Sequence, residues 1–136
     1  MNYRMLGKTG INVSEIIFFC GAVGGLLIRS DDDARRQAIA HALQSGVNLI
    51  DTAPMYGEGA SEEAIGWLLA ELPPAERPYV ATKAFLRPDR GDLAGQIEQS
   101  LSKSLERLQM NSVDLLQIHN FIYDIRGQES GLCVDD

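Results

Sequence analysis

Asn48-Leu49-Ile50-Asp51-Thr52-Ala53-Pro54-Met55-Tyr56-Gly57 holds a short apolar run that stops at an acid and then breaks into a loop presenting a tyrosine. Val47 to Ile50 reads as a buried strand, bounded upstream by Gly46 and downstream by Pro54, which lacks the N–H a ladder needs. Asp51 therefore stands at the strand's C-terminal end. Two further apolar runs end in the same way: Tyr79-Val80-Ala81-Thr82 leads into Lys83, and Val113-Asp114-Leu115-Leu116-Gln117-Ile118 leads into His119. Amphipathic helical segments lie between them, so the strands are expected to run parallel, and parallel strands bring their C-terminal ends to one rim. Asp51, Tyr56, Lys83 and His119 are expected to share that rim, where α/β barrels and open α/β sheets carry their chemistry.

Working outward, Tyr3 to Leu6 and Ile11 to Ser14 flank Gly7-Lys8-Thr9-Gly10 and predict an N-terminal hairpin over residues 1–14. Ile16 to Cys20 reads as a first buried strand, followed by the glycine-rich Gly21-Ala22-Val23-Gly24-Gly25. Asp31-Asp32-Asp33 suits the first turn of a helix, where carboxylates meet free N–H groups; Ile39, Ala42 and Leu43 give that helix its apolar stripe. After Tyr56, Ser61 is the expected N-cap of a helix with Glu62 and Glu63 in its first turn. Ile65, Leu68, Leu69 and Leu72 form its buried face, and Pro73-Pro74 ends it. Leu93, Ile97, Leu101, Leu105 and Leu108 make the stripe of the next, longer helix. The chain is thus a series of βα units, and residues 121–136, without periodicity, read as an irregular tail.

Composition narrows the function classes. A chain of 136 residues suits a single domain. A net charge of −7 and a pI near 4.7 argue against a nucleic-acid partner, which needs a basic face. Cys20 and Cys133 form neither a metal-ligand spacing nor a disulfide framework; no metal site is expected, and the usage fits a reducing cytoplasmic location. The longest uncharged run, Ile16 to Ile28, is broken by glycines and is shorter than the roughly 20 residues of a membrane span, so no membrane partner is expected.

Each rim residue alone has an ordinary reading: an acid after a strand forms turns, a lysine is solvated, and a histidine is hydrogen-bonded. Together they make a coherent acid catalyst. Tyr56 would donate a proton, Lys83 would favour its release, Asp51 would hold Lys83, and His119, kept neutral, would orient a carbonyl by one hydrogen bond. A lysine cation about 4 Å from a phenol, at an effective dielectric near 20, favours the ionised phenol by about 4 kcal/mol before desolvation is subtracted.

These residues resemble the N-terminal half of the aldo-keto reductase family. The resemblance rests on Tyr3-Arg4-Met5-Leu6-Gly7-Lys8-Thr9-Gly10 with Val13-Ser14, on Asp51-Thr52-Ala53-Pro54-Met55-Tyr56-Gly57 with Ser61-Glu62, on Ala81-Thr82-Lys83, and on Val113 through His119-Asn120, in the family's order and spacing up to Asn120. It implies an α/β fold of the TIM (β/α)8-barrel type, here about the first four βα units after the hairpin. It also implies an oxidoreductase that reduces aldehydes or ketones with NADPH, or NADH, as cofactor and a small-molecule carbonyl compound as substrate. Tyr56 would be the proton donor, Asp51 and Lys83 its tuning pair and His119 the orienting residue; Gly21, Asp51 and Asn120 would meet the cofactor.

Two departures stand out. Phe19 occupies a position where the family usually has glycine, placing a bulky side chain at the barrel or cofactor mouth. A barrel needs eight strands, and this chain offers about four. The competing expectation is therefore a truncated, inactive half-barrel or interaction module that lacks most of the cofactor site and self-associates through open sheet edges. Tyr79-x-x-x-Lys83 also has the spacing short-chain dehydrogenases use on a helix, but Pro78, Val80 and Thr82 favour a strand, and the glycine loop does not fit their G-x-G-x-x-G register.

Overall fold

The computed structural model describes residues 1–21, 25–123 and 132–133. Its centre is a four-stranded parallel sheet in the order β3 (Phe18–Phe19), β4 (Leu49–Asp51), β5 (Tyr79–Ala84), β6 (Leu115–Ile118). The helices α1 (Leu26–Arg29), α2 (Asp32–Gln44), α3 (Ala60–Ala70) and α4 (Leu93–Leu108) fill the connections. Parallel neighbours require such crossovers, so the alternation of strand and helix fixes strand direction. This bears out the expected βα series with its parallel sheet.

Side chains alternate across the sheet. Ile50 and Val80 point outward into the main core with Ile39, Ile65, Leu68, Leu69 and Leu108 of the helices. Leu49 and Ala81 point to the other face and pack with Val13 of the hairpin. By the same alternation, Asp51, Lys83 and Gln117 share this second, inner face. The packing of α3 on α4 is close: a Cβ on Gly66 would come within 2.6 Å of the Arg107 carbonyl oxygen. Leu108 is fully buried there, while Leu93, Ile97, Leu101 and Leu105 of the expected stripe are only half-buried.

The N-terminal hairpin is present. Strands β1 (Tyr3–Met5) and β2 (Asn12–Ser14) pair antiparallel, and the turn uses positive φ at Gly7 and Gly10. Asn48 fastens the hairpin to the start of β4: its amide donates to the Asn12 carbonyl oxygen and accepts from Ser14 N–H. Ser14 Oγ in turn accepts from Asn48 N–H.

Several local expectations are corrected. Ile16 and Ile17 are exposed and lie outside the first strand, which is only Phe18–Phe19. Asp31 is the N-cap of α2 and accepts from Ala34 N–H, leaving Asp32 and Asp33 in the first turn. Ser61 is not the N-cap of α3; Gly59, at φ 100°, takes that place. Ser61 is fully buried instead, because its hydroxyl has better partners in Thr52 Oγ1 at 2.9 Å and the Cys20 carbonyl oxygen at 3.2 Å. Part of the expected irregular tail is ordered into a short parallel ladder, β7 (Ile122–Tyr123) with β8 (Leu132–Cys133); residues 124–131 and 134–136 lie outside the described residues.

Candidate active site

Asp51 is the last residue of β4, and Lys83 lies near the end of β5 on the same face. Asp51 is in register with Ala81, so Lys83 stands one same-face position further along the neighbouring strand, within reach of the carboxylate. Lys83 Nζ donates to Asp51 Oδ2 at 2.6 Å and to the Thr52 carbonyl oxygen at 2.8 Å. Both side chains are about nine-tenths buried. Burying either charge alone is costly, and the short contact with its extra acceptor offsets that cost.

Tyr56 lies beyond Pro54 in the loop after β4. Lys83 Nζ sits 4.9 Å from the centre of its ring, and the His119 ring stands edge-on to it with centres 5.7 Å apart. His119 follows β6, and its backbone N–H donates to the Ala84 carbonyl oxygen at 2.8 Å. Its imidazole is pushed below the ordinary histidine range, chiefly by burial and secondarily by the Lys83 cation, against the pull of Asp51. His119 Nδ1 is buried without a hydrogen-bond partner among the described residues. A neutral imidazole, a tyrosine and a held ammonium together are a set of polar groups suited to a carbonyl oxygen.

One participant was not legible beforehand. Gln117 Nε2 donates to Asp51 Oδ1 at 2.8 Å, so both carboxylate oxygens are engaged, one by Lys83 and one by Gln117. The signal was available in principle, since Gln117 is in register with Lys83 and shares its face.

The residues expected at the cofactor are placed differently from one another. Asp51 is committed to Lys83 and Gln117. Asn120 clamps the loop after β5, accepting from Leu86 N–H and donating to the Leu86 carbonyl oxygen, both at 2.8 Å. Gly21 is buried next to the site, and a Cβ there would lie 2.2 Å from the Phe19 ring, so Phe19 fills the space that glycine leaves. The Phe19 ring also stands edge-on to Tyr56, 5.5 Å between centres, with Lys83 Nζ 6.0 Å from its own centre.

A second polar network lies directly behind the first. Thr82, next to Lys83 but facing outward, donates to Glu62 Oε1 at 2.6 Å, and Arg107 Nε donates to Glu62 Oε2 at 2.7 Å. Glu62 is fully buried. The strand that carries Lys83 inward is thus pinned from its outer face.

Comparison with known proteins gives the family of the chain. The family model described as "Aldo/keto reductase family" matches residues 20–130. Aldo-keto reductase YhdN of Bacillus subtilis is 35% identical over 125 residues, covering 88% of this chain and 38% of that protein. Aldo-keto reductase yakc of Schizosaccharomyces pombe, whose name specifies NADP(+), is 31% identical over 80% of this chain and 34% of its own length. The holo form of aldo-keto reductase AKR11C1 from Bacillus halodurans superimposes with a TM-score of 0.70 at 29% identity, over 87% of this chain and 40% of that one. This chain therefore spans about two fifths of the length of such relatives. With its N-terminal hairpin, three βα units and a fourth parallel strand, the chain belongs to the aldo/keto reductase family.

Proposed function

We propose that the rim forms the proton-transfer half of a carbonyl reductase site, acting in the cytoplasm within a closed barrel on a small aldehyde or ketone. The observation that carries this reading is the placement of Lys83 Nζ, held at 2.6 Å by Asp51 while lying against the ring of Tyr56. In this reading the carbonyl oxygen sits between Tyr56 and His119. The neutral imidazole donates one hydrogen bond that orients the oxygen, and Tyr56 O–H delivers the proton as charge builds there. Lys83 stabilises the phenolate left behind, and Asp51 with Gln117 keeps the ammonium aimed.

The set suits a nicotinamide cofactor, NADPH in preference to NADH as a relative's name indicates, whose chemistry is hydride donation to the carbonyl carbon. Gly21, two residues past the end of β3, would meet it with backbone, and Asn120 retains one amide N–H beyond its bond to Leu86. The test is NADPH-dependent reduction of an aromatic aldehyde by a protein carrying this segment in a closed barrel. Tyr56→Phe lowers turnover by about 10²- to 10⁴-fold, the usual worth of a general acid. Undiminished turnover in that variant overturns the assignment.

A further inference from the structure

Between the loops after β4 and β5 and the length of α4 lies a cavity of about 640 Å³. Pro54 and Phe85 form its apolar wall, and Arg87, Arg90, Lys103 and Arg107 its polar one. The charge pattern runs against that of the whole chain. Acids outnumber bases 19 to 12 overall, yet this lining holds four of the twelve Lys and Arg residues and one acid, Asp92. Asp92 is used as the N-cap of α4, accepting from Gly95 N–H, and Arg107 is used by Glu62. The side chains of Arg87, Arg90 and Lys103 have no hydrogen bond or ion pair among the described residues.

Three uncommitted cations around a concave surface raise the local concentration of anions, and guanidinium groups hold carboxylate or phosphate in paired hydrogen bonds. The loop that holds Arg87 is not loosely placed. Gln96 accepts from Arg87 N–H at 2.8 Å and donates to the carbonyl oxygens of Arg87 and Gly91 at 3.0 and 2.6 Å. None of Asp51, Tyr56, Lys83 and His119 lines the cavity, but two lining residues belong to the segments that carry them: Pro54 is two residues before Tyr56, and Phe85 is two residues after Lys83.

We propose that this cavity binds an anionic group, carboxylate or phosphate, at the far end of the carbonyl substrate, so that the preferred substrates are aldehydes or ketones with an acidic tail. This rests on the reading of the rim as the carbonyl site. Phe85 and Pro54 would cover the apolar middle of such a molecule, and Arg87, Arg90 and Lys103 its charged end.

Ligand-observed NMR with benzoate and phenyl phosphate as probes, and benzyl alcohol as the uncharged control, tests the site without any turnover. Both anions are expected to bind, more weakly as salt rises, and the Arg87→Gln/Arg90→Gln variant to lose affinity by about tenfold or more. These side chains are exposed, so the fold should survive, which circular dichroism checks; Lys103→Gln is an independent variant expected to weaken binding in the same direction. Equal binding of benzyl alcohol, or anion affinity unchanged in both variants, overturns the proposal. Adenosine 2′,5′-bisphosphate separates the two sources of phosphate. If it displaces benzoate, binds tighter than phenyl phosphate and depends on the same arginines, the site serves the cofactor and the substrate assignment falls. In a closed barrel, Arg87→Gln/Arg90→Gln should raise KM for 4-carboxybenzaldehyde about tenfold and leave benzaldehyde unchanged. Anion binding without any reductase activity would remove the reading of the rim and with it the carbonyl substrate, leaving only an anion site; activity with no preference for the acidic aldehyde would remove this proposal alone.

Discussion

Lys83 and Asp51, 32 positions apart in sequence, meet at 2.6 Å because they stand on adjacent parallel strands with their side chains on the same face. The pair is nearly water-free, so neither charge can be removed cheaply. Lys83→Met leaves the Asp51 carboxylate with Gln117 alone, and the expected loss is about 3–5 kcal/mol of folding stability, the usual cost of stranding a buried charge. Urea unfolding measures it. A loss under 1 kcal/mol would show that water reaches the carboxylate and that the pair is held for chemistry alone.

His119 should titrate below 6.5, its ordinary value, because burial and Lys83 both disfavour the imidazolium. The sign for stability follows from linkage. The unfolded chain takes up the proton first as pH falls, so stability drops from the unfolded pKa downward and levels off below the folded one. NMR titration of the imidazole checks this, and a midpoint at or above 6.5 contradicts it. Lys83→Met, which removes a repelling cation, should move the midpoint up.

Glu62 and Arg107 tie α3 to α4 behind β5. Arg107→Met leaves a fully buried carboxylate held only by Thr82, with an expected cost of about 3–5 kcal/mol. Glu62→Gln keeps the Thr82 contact and leaves a partly exposed guanidinium that water can serve, so it should cost less. Denaturation of the two variants side by side decides the order.

Phe19→Ala should uncover Gly21 at little cost to stability, since the Phe19 side chain is largely exposed. NADPH affinity, followed by cofactor fluorescence, is expected to rise. An unchanged or weaker affinity would mean that the ring is no obstacle there.

Within the 136-residue chain, β3 and β6 are the edges of the four-stranded sheet, and Ile16, Ile17, Ile118 and Phe121 near them are exposed. Unpaired strand edges beside apolar side chains favour pairing with a second copy. Light scattering after size-exclusion chromatography should find the chain larger than its 14.9 kDa. A stable monomer at micromolar concentration would count against it.

The strand ends that place Asp51, Lys83 and His119 were legible in the sequence because each is a change from apolar run to ionisable residue, and that change is local. What escaped was set by partners distant in the chain. Ser61 has the composition of a cap, but Thr52 and Cys20 draw it into the interior. Glu62 is in the first turn of α3 as expected, but its burial against Arg107 depends on a partner 45 residues on. Gln117 needed the register of β5 against β6 before its bond to Asp51 could be seen. The clamp of Asn120 on Leu86 likewise joins residues 34 positions apart.

The bonds of Asn48 to Asn12 and Ser14 lie at the start of β4, and the Asp51 end of that strand faces away from them. A tether attached at Lys8, in the exposed turn of the hairpin, would therefore hold the molecule through an element fastened at the opposite end of β4 from Asp51. Immobilised this way, the protein would present its chemistry to solution.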